Sequence, residues 1–274
     1  MINIYNEDCF ITMNEHIDDG SIDLILTSPF YNTNKHAAVK SRDGHDGLTL
    51  DNTITKDGVY PNVRYDVHCD NLTNDEYCEF TKKLFLGFDR ILKENGVVLY
   101  NISYGAENTD GMFRAINTII TETPFTVADV IVWKKKSAFP NSCSSNKLTR
   151  VCEFVFVFCR RSEFKTFYCN KSISSYRETG QPAYENIFNI IEARNNDEMC
   201  PHNKATYSTE LCHKLMDIYC PDDATVYDPF MGSGTTAVAC KQRKVSCIGS
   251  EISKKQCEWA ENRIKGTPVY NKLW

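Results

Sequence analysis

The chain has 274 residues, a formal charge of −5 and 42% apolar residues, enough to bury the core of one large α/β domain or of a domain with an appended subdomain. Its thirteen cysteines include no C-x-x-C pair, Met1 to Asp8 do not read as a signal peptide, and no apolar run nears the ~18 residues of a membrane span. A disulfide-stapled secreted domain and a membrane protein are therefore not expected, and the composition suits a cytoplasmic chain with reduced, mostly buried thiols.

Charge is unevenly placed. Between Lys134 and Arg177 ten basic residues stand against two acids, Glu153 and Glu163, a segregation expected of a protein that holds a polyanion on one face. On this ground Lys134, Lys135, Lys136, Arg160, Arg161 and Lys171 are candidate contacts to a nucleic-acid backbone. The acidic remainder of the chain speaks against indiscriminate binding.

Taken in order, Ile2 to Tyr5 alternates as a strand and stops near Asp8, a helix follows over 10–18, and Gly20 marks a turn. Ile22 to Thr27 is a near-continuous apolar run, as in a buried parallel strand. Its C-terminal end delivers Ser28-Pro29-Phe30-Tyr31. Ligands of open α/β sheets bind beyond the carboxyl ends of strands, so this tetrapeptide sits where chemistry is expected. From Asn32 to Asn74 the chain is polar, glycine-bearing and without clear period, which reads as a functional loop insertion over 32–74. His36, His45 and His68 lack metal-ligand spacing, and no metal site is predicted.

An amphipathic helix is predicted over 75–93, with Gly96 just past its end. Strands over 97–102, 127–133 and 151–158 and a helix over 111–121 follow, so helix and strand alternate and the fold class is α/β. Phe164 to Met199 has no strong period and mixes Tyr168, Tyr176, Tyr184 and Phe188 with basic and amide side chains, a composition suited to DNA backbone and unstacked bases. Helices over 209–219 and 253–265, the second with Trp259 and Ile264 facing the core, flank the last two strands.

Those last strands carry the most specific signal. Thr225 to Tyr227 is β-branched and aromatic, Gly232 and Gly234 permit a turn that a Cβ would obstruct, and Thr235 or Thr236 can cap a helix opening on Ala237. A second strand, Val245 to Gly249, ends near Glu251, about 20 residues past the glycines, the spacing at which a β-loop-α-β unit sets a carboxylate on ribose hydroxyls. Gly232-x-Gly234-x-x-Ala237 also fits a dinucleotide fingerprint. Asp228, however, stands ahead of the turn, where it would repel a pyrophosphate and welcome an ammonium group such as that of S-adenosylmethionine.

The run Asp228-Pro229-Phe230-x-Gly232-Ser233-Gly234-Thr235-Thr236 resembles the cofactor motif of the DNA amino-methyltransferases of the permuted β group. Ser28-Pro29-Phe30-Tyr31 resembles that family's catalytic (Asp/Asn/Ser)-Pro-Pro-(Tyr/Phe), with Phe30 in place of the second proline. The order catalytic motif, recognition region, cofactor motif defines the group and extends over nearly the whole chain. The resemblance implies a Rossmann-like, S-adenosylmethionine-dependent fold, a mostly parallel sheet with helices on both faces, in one catalytic domain over 1–274. It implies a target-recognition region over 160–200 and cofactor contacts from Asp8, Asp228, Pro229, Phe230, Gly232, Gly234, Thr235, Thr236 and Glu251. Asp8 reads equally well as a helix cap. The expected partner is double-stranded DNA, and the expected setting is cytoplasm, nucleoid or nucleus. A companion restriction endonuclease and the choice between monomer and homodimer are left open.

An exocyclic amine is a poor nucleophile because its lone pair is delocalised into the ring. Acceptors must hold its N–H groups and turn the lone pair toward the methyl donor, and Ser28 Oγ and the Pro29 carbonyl suit that role. Tyr31 offers a face for a flipped base. No proline is followed by cysteine, the dipeptide that carries the thiolate of carbon-5 methyltransferases, so direct transfer without a covalent intermediate is expected. Serine at the first catalytic position favours N4 of cytosine over N6 of adenine, the alternative base. Two rival readings are an NAD-dependent oxidoreductase, from the glycine pattern, and a methyltransferase-like protein that binds without catalysis, from Phe30.

Overall fold

The computed structural model describes residues 1–32, 53–55, 58–60, 72–105, 108–137, 145–146, 148–197, 200, 203 and 206–269. Most of the insertion read over 32–74, including His36, His45 and His68, lies outside the described residues, as do Lys147 and His202. In chain order the elements are β1 (Ile2–Tyr5), α1 (Cys9–His16), β2 (Ile22–Thr27), the short pair β3 (Thr53–Thr55) and β4 (Gly58–Tyr60), α2 (Asn74–Ile91), β5 (Leu92–Ile102) and α3 (Gly111–Glu122). There follow β6 (Phe125–Lys135), β7 (Cys152–Arg160), β8 (Ile173–Tyr176), β9 (Pro182–Tyr184) and β10 (Ile190–Ala193), then α4 (Thr209–Tyr219), β11 (Thr225–Asp228), α5 (Thr235–Arg243), β12 (Ser246–Ser250) and α6 (Lys254–Gly266).

Eight strands form one sheet in the order β1-β12-β11-β2-β5-β7-β6-β10. Only β7 runs against its neighbours, so the sheet is mostly parallel, as expected. One face packs on α1, α2 and α3 through Met13, Leu84, Phe85, Phe88, Ala115 and Ile119. The other packs on α4, α5 and α6 through Leu211, Leu215, Ala237, Ala239 and Ala260. On the first face Phe85 sits 5.1 to 5.4 Å, centroid to centroid, from Phe88, Tyr100, Phe125 and Phe158, and truncating such a ring to alanine costs about 3–5 kcal/mol.

Several boundaries differ from the sequence expectation for identifiable reasons. Gly96 is no helix cap: α2 ends at Ile91, its Leu92 cap N–H bonds the Phe88 carbonyl, and Gly96 lies inside β5. A Cβ there would come within 2.7 Å of Leu92 Cγ, so the glycine serves packing. The start of α2 is a full capping box between Thr73 and Glu76, worth about 1 kcal/mol. Neither Thr235 nor Thr236 caps α5, because Gly234 occupies that place at φ 82°. The stretch after Phe164, without period in sequence, contains β8, β9 and β10, strands too short to show alternation. Trp259 is only partly buried, whereas Ile264 packs on the core.

Candidate active site

The strands β1, β2, β11 and β12 are adjacent and parallel, so the chain segments leaving their C-terminal ends converge on one side of the sheet. Between them lies a cavity lined by Glu7, Asp8 and Cys9 after β1, Ser28 and Phe30 after β2, Pro229 to Ser233 after β11, and Glu251 and Ile252 after β12. Phe80 of α2, Asn203, Thr206, Tyr207, Thr235 and Gln256 complete the wall. The glycine turn is conformationally demanding. Gly232 has φ 53°, and a Cβ on it would meet Asn203 Nδ2 at 2.8 Å. A Cβ on Gly234 would meet Ala260 Cβ of α6 at 2.7 Å.

Glu251 is where a ribose-directed acid should be. Its Oε2 accepts the Gly232 N–H at 2.9 Å and its Oε1 the Ser253 N–H at 2.8 Å, so the carboxylate is oriented by the backbone while facing the cavity. Asp8 caps α1, its Oδ1 accepting the Phe10 N–H at 2.8 Å, and it also lines the cavity.

Asp228 departs from its expected role. Its side chain is buried, 1% exposed, and accepts from Thr27 Oγ1 at 2.8 Å, the Phe230 N–H at 3.1 Å, Thr236 Oγ1 at 2.6 Å and Tyr207 Oη at 3.2 Å. Burial pushes its pKa up more than these donors pull it down. It therefore works from behind the cavity wall, tying β2, the glycine turn, Tyr207 and α5 together, rather than standing open to an ammonium group. Thr236, bonded to both Asp228 and Tyr207, shares that role.

The Ser28 turn is held by residues far away in sequence. Ser28 Oγ donates to Tyr31 Oη at 3.0 Å, Tyr31 Oη donates to Glu153 Oε2 at 2.8 Å, and Lys135 Nζ donates to Glu153 Oε1 at 2.5 Å. Asn101 Nδ2 donates to Tyr31 Oη at 2.7 Å and to Glu153 Oε2 at 3.2 Å. Burial alone would raise the Glu153 carboxyl, but Lys135, Tyr31 and Asn101 together hold it below its ordinary pKa. Asn101 and Glu153 were not legible as site residues; the only available signal was a polar residue inside each apolar strand. Tyr31 is 7% exposed with its hydroxyl engaged, so it is packed into the fold instead of standing free as a stacking platform.

Phe30 explains its departure from a second proline. Its ring packs against Tyr77 and Phe80 at 5.3 and 5.1 Å, and its carbonyl accepts from Tyr77 Oη at 2.7 Å. Packing and a buried hydrogen bond supply the stiffness that a proline ring would. Pro29 is buried beside it. The Cys9 thiol reaches the same cavity, but burial and neighbouring Asp8 push its pKa far up, so it is not held as a thiolate nucleophile.

The candidate DNA cations divide. β6 runs parallel to β5, so Lys134, Lys135 and Lys136 leave the sheet at the Ser28 end, where they pair with Glu192, Glu153 and Glu210. β7 runs the other way, and Arg160 lies at the opposite end. It binds Asp89 and Glu163 and the Leu92, Lys93 and Asp89 carbonyls. Arg161 donates to the Ile120 and Phe125 carbonyls. Both arginines are thus engaged within the fold, Arg160 half-buried and Arg161 exposed. Lys171 is exposed.

Residues 22–262 match the model of a family described as DNA methylase, the N6/N4 group. The chain belongs to that family. Among curated relatives it is 23% identical to the orphan methyltransferase M.BamHII of Bacillus amyloliquefaciens over 95% of each chain. It is 26% identical to the type II methyltransferase M.MjaI of Methanocaldococcus jannaschii over 64% of this chain and 63% of that one. Its fold matches the cytosine-N4-specific PvuII DNA methyltransferase with a TM-score of 0.66 at 16% identity, covering 100% of this chain and 88% of the other. It also matches the S-adenosylmethionine complex of M1.HpyAVI with a TM-score of 0.56 at 19% identity, covering 96% of this chain and 100% of that one. The oxidoreductase reading falls with the family assignment. As a DNA amino-methyltransferase the chain acts on DNA, and among its described residues no helix is long and apolar enough to cross a membrane.

Proposed function

We propose that this DNA methyltransferase transfers a methyl group from S-adenosylmethionine to N4 of a flipped cytosine, in one direct displacement. The observation that supports it most is that Ser28, from the turn after β2, shares a cavity with Gly232 and Glu251, from the cofactor half. Glu251 would hold the ribose, with Asp8 and Glu7 on the same wall, while Pro229, Phe230 and Thr235 shape the pocket around the glycine turn. The cofactor supplies a sulfonium-bound methyl group. Ser28 Oγ and the Pro29 carbonyl receive the amine's N–H groups and aim its lone pair, and the aromatic wall of Phe30, Phe80 and Phe230 excludes water from the reacting atoms. Protein residues thus perform orientation, and no side chain forms a bond to the base.

Serine at position 28 favours cytosine because family members that act on N4 tend to carry serine there. We assign the target-recognition region to 160–200, a reading supported by the exposed Tyr176, Tyr184 and Phe188 and the exposed Lys171 in that stretch. A companion restriction endonuclease, if the cell makes one, would be blocked by the same methyl group. Digesting methylated DNA to nucleosides and weighing them by mass spectrometry tests the base: N4-methylcytidine is expected, and N6-methyladenosine alone would overturn the cytosine reading. Ser28→Ala should abolish transfer while S-adenosylmethionine still binds by calorimetry.

A further inference from the structure

We propose that Glu153 is a positioning residue that sets the polarity of the Ser28 hydroxyl, and through it the enzyme's preference for an amine over a carbonyl on the target base. The inference rests on the reading that Ser28 meets the target group. Its basis is the direction of each hydrogen bond in the chain that starts at Glu153. An ionised carboxylate only accepts. Asn101 presents its amide nitrogen to Glu153 Oε2 at 3.2 Å and to Tyr31 Oη at 2.7 Å, an orientation required because its oxygen would repel the carboxylate. Tyr31 Oη therefore receives a hydrogen from Asn101 and sends its own to Glu153 at 2.8 Å. Ser28 then has an acceptor in Tyr31 Oη at 3.0 Å, and its single proton is drawn away from the cavity.

The consequence is chemical. A serine hydroxyl is ambivalent, able to present a proton or a lone pair. With its proton committed to Tyr31, Ser28 shows the cavity lone pairs only, which suit an N–H of a base amine and mismatch a carbonyl oxygen at the same place. Lys135, bonded to Glu153 Oε1 at 2.5 Å, keeps the terminus charged and so keeps the direction of the whole chain. Three strands contribute to this device: β5 supplies Asn101, β7 supplies Glu153 and β6 supplies Lys135.

Glu153→Gln tests it, because a glutamine can donate where the carboxylate only accepts. Its NH2 toward Tyr31 would reverse the chain: Tyr31 would donate to Ser28, whose proton would turn into the cavity. The readout is the ratio of binding to two duplexes carrying the enzyme's site, one with the natural amine base and one with its carbonyl counterpart (uracil for cytosine, hypoxanthine for adenine). Both are measured with S-adenosylhomocysteine present. Comparing the ratio between wild type and variant cancels the other effects of changing the base. The expected result is a shift toward the carbonyl duplex of about tenfold, the size of one exchanged hydrogen bond. The single-turnover methylation rate should fall and cofactor affinity should stay unchanged. Tyr31→Phe, which removes the link, should weaken the amine preference without reversing it. An unchanged ratio in a folded Glu153→Gln protein overturns the inference, and if that variant does not fold, an unchanged ratio in Tyr31→Phe does so. Ser28→Ala separates the two levels: if it retains methyl transfer, the underlying reading of Ser28 fails as well.

Discussion

Two turns leave neighbouring parallel strands of this sheet, one after β11 and one after β2, and they solve the problem of placing polar groups at a site in opposite ways. The Asp228 turn is closed on itself. Its carboxylate is consumed by four internal donors, and three of them, Tyr207, Phe230 and Thr236, lie within about two dozen residues of it. The Ser28 turn is open toward the cavity and is governed from a distance, by Asn101, Lys135 and Glu153, through Tyr31. Thr27 joins the two turns by donating to Asp228 at 2.8 Å. The first turn is a fastening, the second an instrument whose setting lies elsewhere in the fold.

The sharpest way to break that contrast is to remove the fastening. Asp228→Ala leaves Thr27, Tyr207, Thr236 and the Phe230 N–H without their acceptor, and at 1–3 kcal/mol per buried unpaired group a loss of at least about 3 kcal/mol is expected in urea unfolding. Asp228→Asn should lose less, because it keeps the shape and part of the bonding. The sign with pH is distinctive. The folded pKa of Asp228 is raised above its unfolded value, so the ionised group costs stability at neutral pH. That cost is relieved as pH falls through the folded pKa toward the unfolded one. In the asparagine variant that acid-side relief should vanish; if both proteins follow the same pH dependence, folding does not raise the pKa of Asp228.

The two ends of the sheet offer the next comparison. Arg160 at the far end makes contacts to two carboxylates and three carbonyls. Arg160→Ala should therefore destabilise the fold by roughly 2–3 kcal/mol, as expected for losing hydrogen bonds to charged groups, while leaving the salt dependence of DNA binding unchanged. A flattened salt slope in a folded Arg160→Ala protein would restore the arginine to the DNA face.

How much of this was legible follows the same division. The strands β2 and β11, helix α4 and the glycine turn were readable because their determinants are local: apolar runs, β-branched residues and glycine spacing within one supersecondary unit. Phe30 shows in sequence only as a missing second proline, because Tyr77, which holds its carbonyl, is 47 residues away. Asn101 and Glu153 looked like interruptions of apolar strands, and nothing local says that the sheet order brings β2, β5, β7 and β6 side by side. Arg160 and Lys135 looked alike as members of one basic segment. Only the antiparallel course of β7 sends them to opposite ends of the sheet.

Glu210 sharpens the picture at the near end. Burial would raise its pKa, but Lys136, the Arg194 N–H and Lys214 outweigh it and bring it down to about 2. A folded value below the unfolded 4.5 means stability that is present above the unfolded pKa and lost as pH falls through the folded one. Glu210→Gln should cost on the order of 1 kcal/mol at neutral pH, the range of a partly exposed ion-pair network. The difference from wild type should shrink between about pH 4.5 and 2. A constant difference across that window would show that Glu210 acts by shape and not by charge.

The smallest expected effect on stability isolates the proposed DNA face. Lys171 is exposed, just before the β8–β9 pair, and surface changes of this kind usually stay within about 0.5 kcal/mol. Lys171→Glu should therefore leave urea unfolding unchanged. On DNA it should weaken binding to specific and unrelated sequences alike, because a phosphate contact carries no base information. The slope of log affinity against log salt should drop by about one for the lost lysine–phosphate contact. Lys134→Ala is the paired control: Lys134 leaves the sheet at the Ser28 end but bonds Glu192 at 3.0 Å, so removing it deletes a cation whose charge is already opposed and should change the slope by less. A larger slope change from Lys134 than from Lys171 would move the DNA path from the β8–β9 side to the mouth of the Ser28 cavity.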